Sequence, residues 1–218
     1  MTNPQLTELD DELDVMDWIR ANMRWVGIGA AVVVVVGGGW WVYTQSKLRK
    51  EQNAAQALFL AKQSVQAGNL VLAQSDLSKL VSRYSGTSAG SEGAMLLAQI
   101  DYDQNKFQEG ITVLENAAKG APAPMEVQLR GLIGDGYLSL KNAPSAAKEY
   151  ERAADMTTFV LEKATQKAKA ARAYAIAGDT AKARQIWKNL AVDEKNPSVA
   201  AEAKVRLGEL TAKVAKAG

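Results

Sequence analysis

Apolar side chains follow two patterns along this chain. From Trp25 to Tyr43 they are almost continuous, WVGIGAAVVVVVGGGWWVY. From Ala54 onward they recur at i, i+3, i+4 and i+7, as at Leu58, Phe59 and Val65, or at Ile186, Trp187 and Leu190. The first pattern predicts a helix that is apolar all round. The second predicts amphipathic helices. Alternating runs of Val, Thr or Tyr, which would mark strands, do not occur. The fold class expected is all-α.

The apolar run predicts a transmembrane helix. No charged side chain stands between Arg24 and Lys47. Nineteen helical residues rise about 28 Å, close to the roughly 30 Å of a hydrocarbon core. A helix also satisfies its own backbone groups, which lipid demands. Trp25 stands at one end and Trp40, Trp41 and Tyr43 at the other, where amphipathic rings favour the headgroup level. These four are the expected membrane-interface residues. A buried core helix is the plainer alternative, but core helices are rarely uncharged for so long. A cleaved signal peptide fits poorly, because the preceding stretch is long and acidic (Glu8, Asp10, Asp11, Glu12, Asp14, Asp17). An uncleaved anchor is expected. Gly27 and Ala31 form a small-xxx-small pair through which the helix can make a homodimer.

The second pattern repeats. Windows of 34 residues start at Ala54, Ser91, Val127 and Ala164, spaced by 37, 36 and 37. Position 8 of each window is small: Ala61, Ala98, Gly134, Ala171. Position 20 is small too: Ala73, Gly110, Ala146, Ala183. Position 24 is bulky: Leu77, Leu114, Tyr150, Trp187. Position 15 is a turn column of Gly68, Asn105, Lys141 and Gly178. This is the tetratricopeptide register, in which two helices cross closely at small residues. Each window is a helix pair that buries its apolar face only by stacking on a neighbour. A last helix, Ser198 to Val214, places Val199, Ala203, Leu207, Leu210 and Val214 on one face. Glu202, Lys204, Arg206, Glu209 and Lys213 lie on the other, as a cap requires. The architecture expected is one N-terminal transmembrane helix, then a tetratricopeptide-like α-solenoid of four helix pairs and a C-terminal capping helix. The boundaries are 1–23 for an acidic tail, 24–46 for the span and 47–218 for the repeat domain.

Composition narrows the chemistry. The chain of 218 residues has no histidine and no cysteine. The commonest general base, the commonest metal ligand and the thiolate nucleophile are therefore missing. Gly131-x-x-Gly134-x-Gly136 follows no strand and reads as a close helix crossing rather than a nucleotide loop. No catalytic, metal or cofactor site is expected, and the chain is not expected to be an enzyme. Residues 25–218 carry a net charge of +6, too diffuse over a long helical domain to imply nucleic acid.

An acidic tail, one membrane helix and a tetratricopeptide-like domain together resemble the YfgM-like family, ancillary subunits of the bacterial Sec translocon. The stretch that carries the resemblance runs from Asp17-Trp18-Ile19-Arg20 through Gly39-Trp40-Trp41 to AAQALFLAKQSVQAGN. The resemblance implies a single-pass inner-membrane protein with its C-terminal domain in the periplasm. The implied partners are Sec translocon subunits and a membrane-bound periplasmic chaperone of the PpiD type, besides the lipid bilayer. A scaffold for another envelope-assembly or division complex is the alternative function. Basic residues point the other way on orientation: Arg20 and Arg24 precede the run, whereas Lys47, Arg49, Lys50 and Lys62 follow it.

The partner contact is expected on the face made by the first helix of each pair. In the repeat register that face takes positions 5, 9 and 12. The candidate partner groove is Leu58, Lys62, Met95, Gln99, Tyr102, Asp135, Leu138 and Arg172. Met95, Tyr102 and Leu138 either give it an apolar middle or complete the core.

Overall fold

The computed structural model describes residue 16 and residues 18–217, with side chains to residue 212. Residues 1–15, most of the expected acidic tail, lie outside the described residues, as do the side chains of Lys213 and Val214. The described residues form helices and short connections, with no strand among them. The elements are α1 (Met23–Gln66), α2 (Leu70–Arg83), α3 (Ser88–Asp103), α4 (Phe107–Ala118), α5 (Ala123–Ser139), α6 (Ala143–Met156), α7 (Val160–Ile176), α8 (Thr180–Ala191) and α9 (Pro197–Ala217).

The chain divides into two compact units, residues 1–49 and 50–218. In the first, α1 carries the apolar run, and its most apolar eighteen residues have none buried. A core helix would bury that surface, so the core-helix alternative fails. Trp25, Trp40, Trp41 and Tyr43 are exposed by 75, 70, 67 and 53 %. Lys47 Nζ lies 5.0 Å from the Tyr43 ring centroid. This helix is long and apolar enough to cross a membrane.

The second unit is the stack of four helix pairs with α9 as the fifth layer. Within each pair the small columns permit close crossing. Ala61, Ala73, Ala146, Ala171 and Ala183 are fully buried. At Gly134 a Cβ would lie 2.6 Å from the Tyr150 ring, and at Gly110 2.5 Å from the Tyr102 ring, so glycine is required at both crossings. The bulky column fills the space beside them: Leu77, Leu114, Tyr150 and Trp187 are at most 1 % exposed. All four residues of the turn column adopt left-handed backbone, with φ of 72° at Gly68, 62° at Asn105, 59° at Lys141 and 85° at Gly178. The next residue is the N-cap of the second helix. Asn69, Asn142 and Asp179 cap α2, α6 and α8 by accepting from the Leu72, Ser145 and Lys182 amides. Lys106 stands at that place before α4 and makes no side-chain cap.

The core is three clusters strung along the stack. The first joins Ala54, Leu58, Leu77 and Leu80 to Leu97. The second holds Ala98, Ile111, Leu114, Leu129 and Ile133. The third gathers Tyr150, Tyr174, Trp187 and Leu190 with Ala203 and Leu210 of α9. The cap thus closes the last cluster as its apolar face predicts. Its polar face is not all solvated, because Glu202 turns back to bind Arg172.

Candidate functional site

The first helices of the pairs lie side by side and are laced by polar contacts. Lys62 Nζ on α1 donates to Glu92 Oε1 on α3 at 2.5 Å. Tyr102 Oη on α3 donates to the Leu132 carbonyl oxygen on α5 at 3.1 Å. Lys169 Nζ on α7 donates to both Asp135 carboxylate oxygens on α5 at 3.1 Å. Arg172 on α7 grips the Glu202 carboxylate on α9 through Nε at 2.8 Å and Nη2 at 2.5 Å. Charge pairs therefore stand at both ends of this face, and an uncharged step stands between α3 and α5.

Each expected groove residue has a definite place. Leu58 is 6 % exposed and belongs to the first core cluster, so it is not available to a partner. Lys62 is half-exposed in its ion pair. Met95 and Tyr102 are half-buried against the second cluster, and Leu138 against the third. Gln99 is exposed and donates to Asp103 Oδ1 at 2.9 Å. Asp135 accepts from Tyr150 Oη at 2.5 Å as well as from Lys169. Arg172 is exposed at the far end of the face. There it lines an open cavity of about 370 Å³ with Ala175, Ile176, Trp187, Arg206, Glu209 and Leu210. The cavity has an apolar floor and a charged rim, a combination that holds an apolar side chain with a polar neighbour.

Burial and neighbouring carboxylates raise the phenols of this face above the ordinary tyrosine range. Burial pushes Tyr150 well above the ordinary tyrosine range, and its hydrogen bond to the Asp135 carboxylate adds to the shift. Tyr102 is raised chiefly by burial and then by the nearby Asp135 charge. Tyr174 is pushed up to about 12 by burial and by its hydrogen bond to Glu151. Arg130 loses hydration by burial, but Glu126 and Glu149 more than offset this and hold its guanidinium charged. Among the described residues no cluster of metal-ligating side chains occurs.

Sequence reasoning missed the partners that lace the face: Glu92, Lys169 and Glu202. A signal existed. Lys62–Glu92 and Arg172–Glu202 each join residues 30 apart, about two helical turns short of the 36–37-residue step between windows, so each pair bridges one first helix to the next. It also missed two buried polar groups. Asp101 is 7 % exposed and accepts from Gln74 Nε2 at 3.2 Å. Gln166 is 8 % exposed, lies over Gly131, and its Oε1 has no protein partner.

Known proteins resemble this chain at the level of the repeat. The model of the tetratricopeptide repeat-like domain family matches residues 16–125 and, in an overlapping second match, residues 54–166. The two matches share residues 54–125. No curated protein matches the sequence. Among solved structures, the nearly identical TPR-like repeats of a Podosopora anserina kinesin light chain superpose with a TM-score of 0.58 at 15 % identity, covering 76 % of this chain and 89 % of that one. BtubC (BKLC) from P. vanneervenii superposes with a TM-score of 0.57 at 15 % identity, covering 83 % of this chain and 80 % of that one. At such identity the likeness is one of fold.

Proposed function

The chain belongs to the tetratricopeptide repeat-like domain family, and from that membership we propose a membrane-anchored protein–protein interaction scaffold. One observation carries the reading: a helix with an unburied apolar run leads directly into a stack of helix pairs. A tether of this kind replaces bulk affinity with effective concentration, so a weak contact suffices when both partners share a membrane. Repeat folds of this family typically act by binding other proteins, not by catalysis.

The finer reading follows the resemblance to the YfgM-like family. Residues 1–23 form a cytosolic tail, 24–46 the span and 47–218 a periplasmic domain of the inner membrane. The partners are Sec translocon subunits and a membrane-bound periplasmic chaperone, between which the scaffold helps secreted or envelope proteins move. The uncharged step around Met95, Gln99 and Tyr102 supports a partner segment that is helical or unfolded, flanked by charge. Photocrosslinking in cells tests this. A crosslinking side chain at Gln99 or Arg172 should capture translocon or chaperone, whereas one at the exposed Thr112 on α4 should not. Capture only from Thr112 would move the contact to the second helices. Capture of other envelope proteins alone would favour an assembly or division scaffold.

A further inference from the structure

The first helices of the pairs run parallel. Glu51 Oε1 accepts from the Ser88 and Ala89 amides at 2.9 and 3.3 Å, which sets the start of α3 beside Glu51. Gly131 faces Gln166, and Asp135 faces Lys169, which sets α5 beside α7 in the same direction. The turns that lead into α3, α5, α7 and α9 therefore share one edge of the repeat unit. Successive turns touch there: a Cβ on Gly86 would lie 3.2 Å from the Gly120 carbonyl oxygen. The chain enters the unit at this edge, because Lys50 Nζ donates to the Ser85 carbonyl oxygen at 2.7 Å.

The turn into α7 differs from its neighbours. Ser85-Gly86-Thr87 and Lys119-Gly120-Ala121 are polar or small. The α6–α7 turn instead presents Met156, Phe159, Val160 and Leu161, exposed by 38, 67, 48 and 59 %. Val192 in the next turn of the edge is exposed as well. The side chains are held out by an ordered turn. The buried Thr157 hydroxyl donates to Glu162 Oε2 at 2.7 Å and accepts from the Phe159 amide at 3.2 Å. Three consecutive large apolar residues fixed toward solvent mark a contact surface.

We propose that this apolar turn, Phe159 to Leu161, inserts into the surface of a lipid bilayer. The inference rests on the reading of Trp25–Tyr43 as an inserted span. Lys50 follows Tyr43 by seven residues, a reach of at most about 25 Å even for extended chain. Covalent linkage to the span thus holds the repeat unit at high effective concentration beside lipid. Lipid is the one partner that the chain's own anchor brings within reach, and this favours lipid as the occupant. Phe and Leu side chains of a peripheral segment settle at the boundary of headgroups and acyl chains.

The chain has no cysteine, so single-cysteine labelling is clean. The full chain is reconstituted in vesicles of phosphatidylethanolamine and phosphatidylglycerol that carry spin-labelled quencher lipids. A fluorophore on Phe159→Cys or Leu161→Cys should lose most of its emission to shallow quenchers and be shielded from iodide. One on Ser139→Cys, beside the opposite turns, should keep its emission. One on Val34→Cys reports the anchor through deep quenchers. If Val34→Cys is quenched but Phe159→Cys is not, the inference falls and the anchor stands. If Val34→Cys is not quenched, the anchor reading falls, and quenching at Phe159→Cys alone would still support the lipid contact. Shielding from iodide without lipid quenching would mean a second copy or another protein covers the turn, and would overturn the proposal. A label on Thr158→Cys guards against misfolding: adding Phe159→Asp and Leu161→Asp should abolish its quenching while the circular dichroism is unchanged.

Discussion

Lys141 occupies the one place in the turn column where a long side chain adopts φ of 59°. Left-handed backbone costs an L-residue roughly 1–2 kcal/mol, and glycine avoids that cost while losing more entropy on folding. Lys141→Gly should therefore stabilise the chain by up to about 1 kcal/mol, read as a higher urea midpoint. Trp187 is the opposite case. It is 1 % exposed and joins the last cluster to α9, so Trp187→Ala should cost roughly 3–5 kcal/mol. A loss below about 1 kcal/mol would show that the side chain is not the filler its burial makes it. Asp101 yields a pH test. Burial holds its carboxyl above the usual range, against the Gln74 hydrogen bond. A carboxyl raised on folding favours the folded chain fully below its unfolded value and loses that contribution as pH rises through the folded one. Asp101→Asn does not titrate. Its stability relative to the parent should rise as pH is raised from below the ordinary aspartate value through the folded one, and a constant difference in urea midpoints would show that Asp101 is not shifted.

At the scale of elements, the repeat register was legible because it is written in side-chain volume. Small residues at positions 8 and 20 and a bulky one at 24 can only be packed in one way, and all twelve are buried. The turn column was legible for a different reason: Gly68, Asn105 and Gly178 are the residues that reach positive φ most cheaply. The groove was less legible. Position 5 of the first window, Leu58, sits in the core, since the first pair is packed from that side by Leu77 and Leu97. Tyr102 also does two jobs. Its ring fills the space left by Gly110 and Gly136, and its hydroxyl holds the Leu132 carbonyl oxygen. Truncating Tyr102 together with Met95, the simplest sequence-level test of a groove, would thus loosen α3 against α5. Gln99 and Arg172 are the cleaner probes. The α5 glycines follow the same volume logic. Gly134→Ala drives a methyl into the Tyr150 ring, and the overpacking should cost about 1–3 kcal/mol in thermal or urea unfolding. An unchanged midpoint would mean that Tyr150 can swing away, which its hydrogen bond to Asp135 opposes.

At the scale of the whole molecule, the three core clusters make the repeat unit a chain of neighbours rather than one nucleus. Each pair touches the next, and the residues of the first cluster share no member with the last. Stability in such a stack is close to a sum of local terms and nearest-neighbour interfaces. The cap is the weak point of that sum. Ala203 and Leu210 of α9 close the cluster built on Tyr174, Trp187 and Leu190, and Arg172 loses its partner if Glu202 is gone. Ending the chain before Pro197 should therefore bare Trp187 and melt α7 and α8 first. Hydrogen exchange measured on the full chain and on the shortened one separates the possibilities. The amides of α7 and α8 should lose most of their protection, those of α5 and α6 an intermediate share, and those of α2 and α3 almost none. Uniform loss from α2 to α8 would instead mean that the stack folds as a single cooperative block, and that the division into clusters has no energetic counterpart. A graded loss would also mean that a partner bound near Arg172 tightens the far end of the scaffold without being felt at the end where the chain enters the unit.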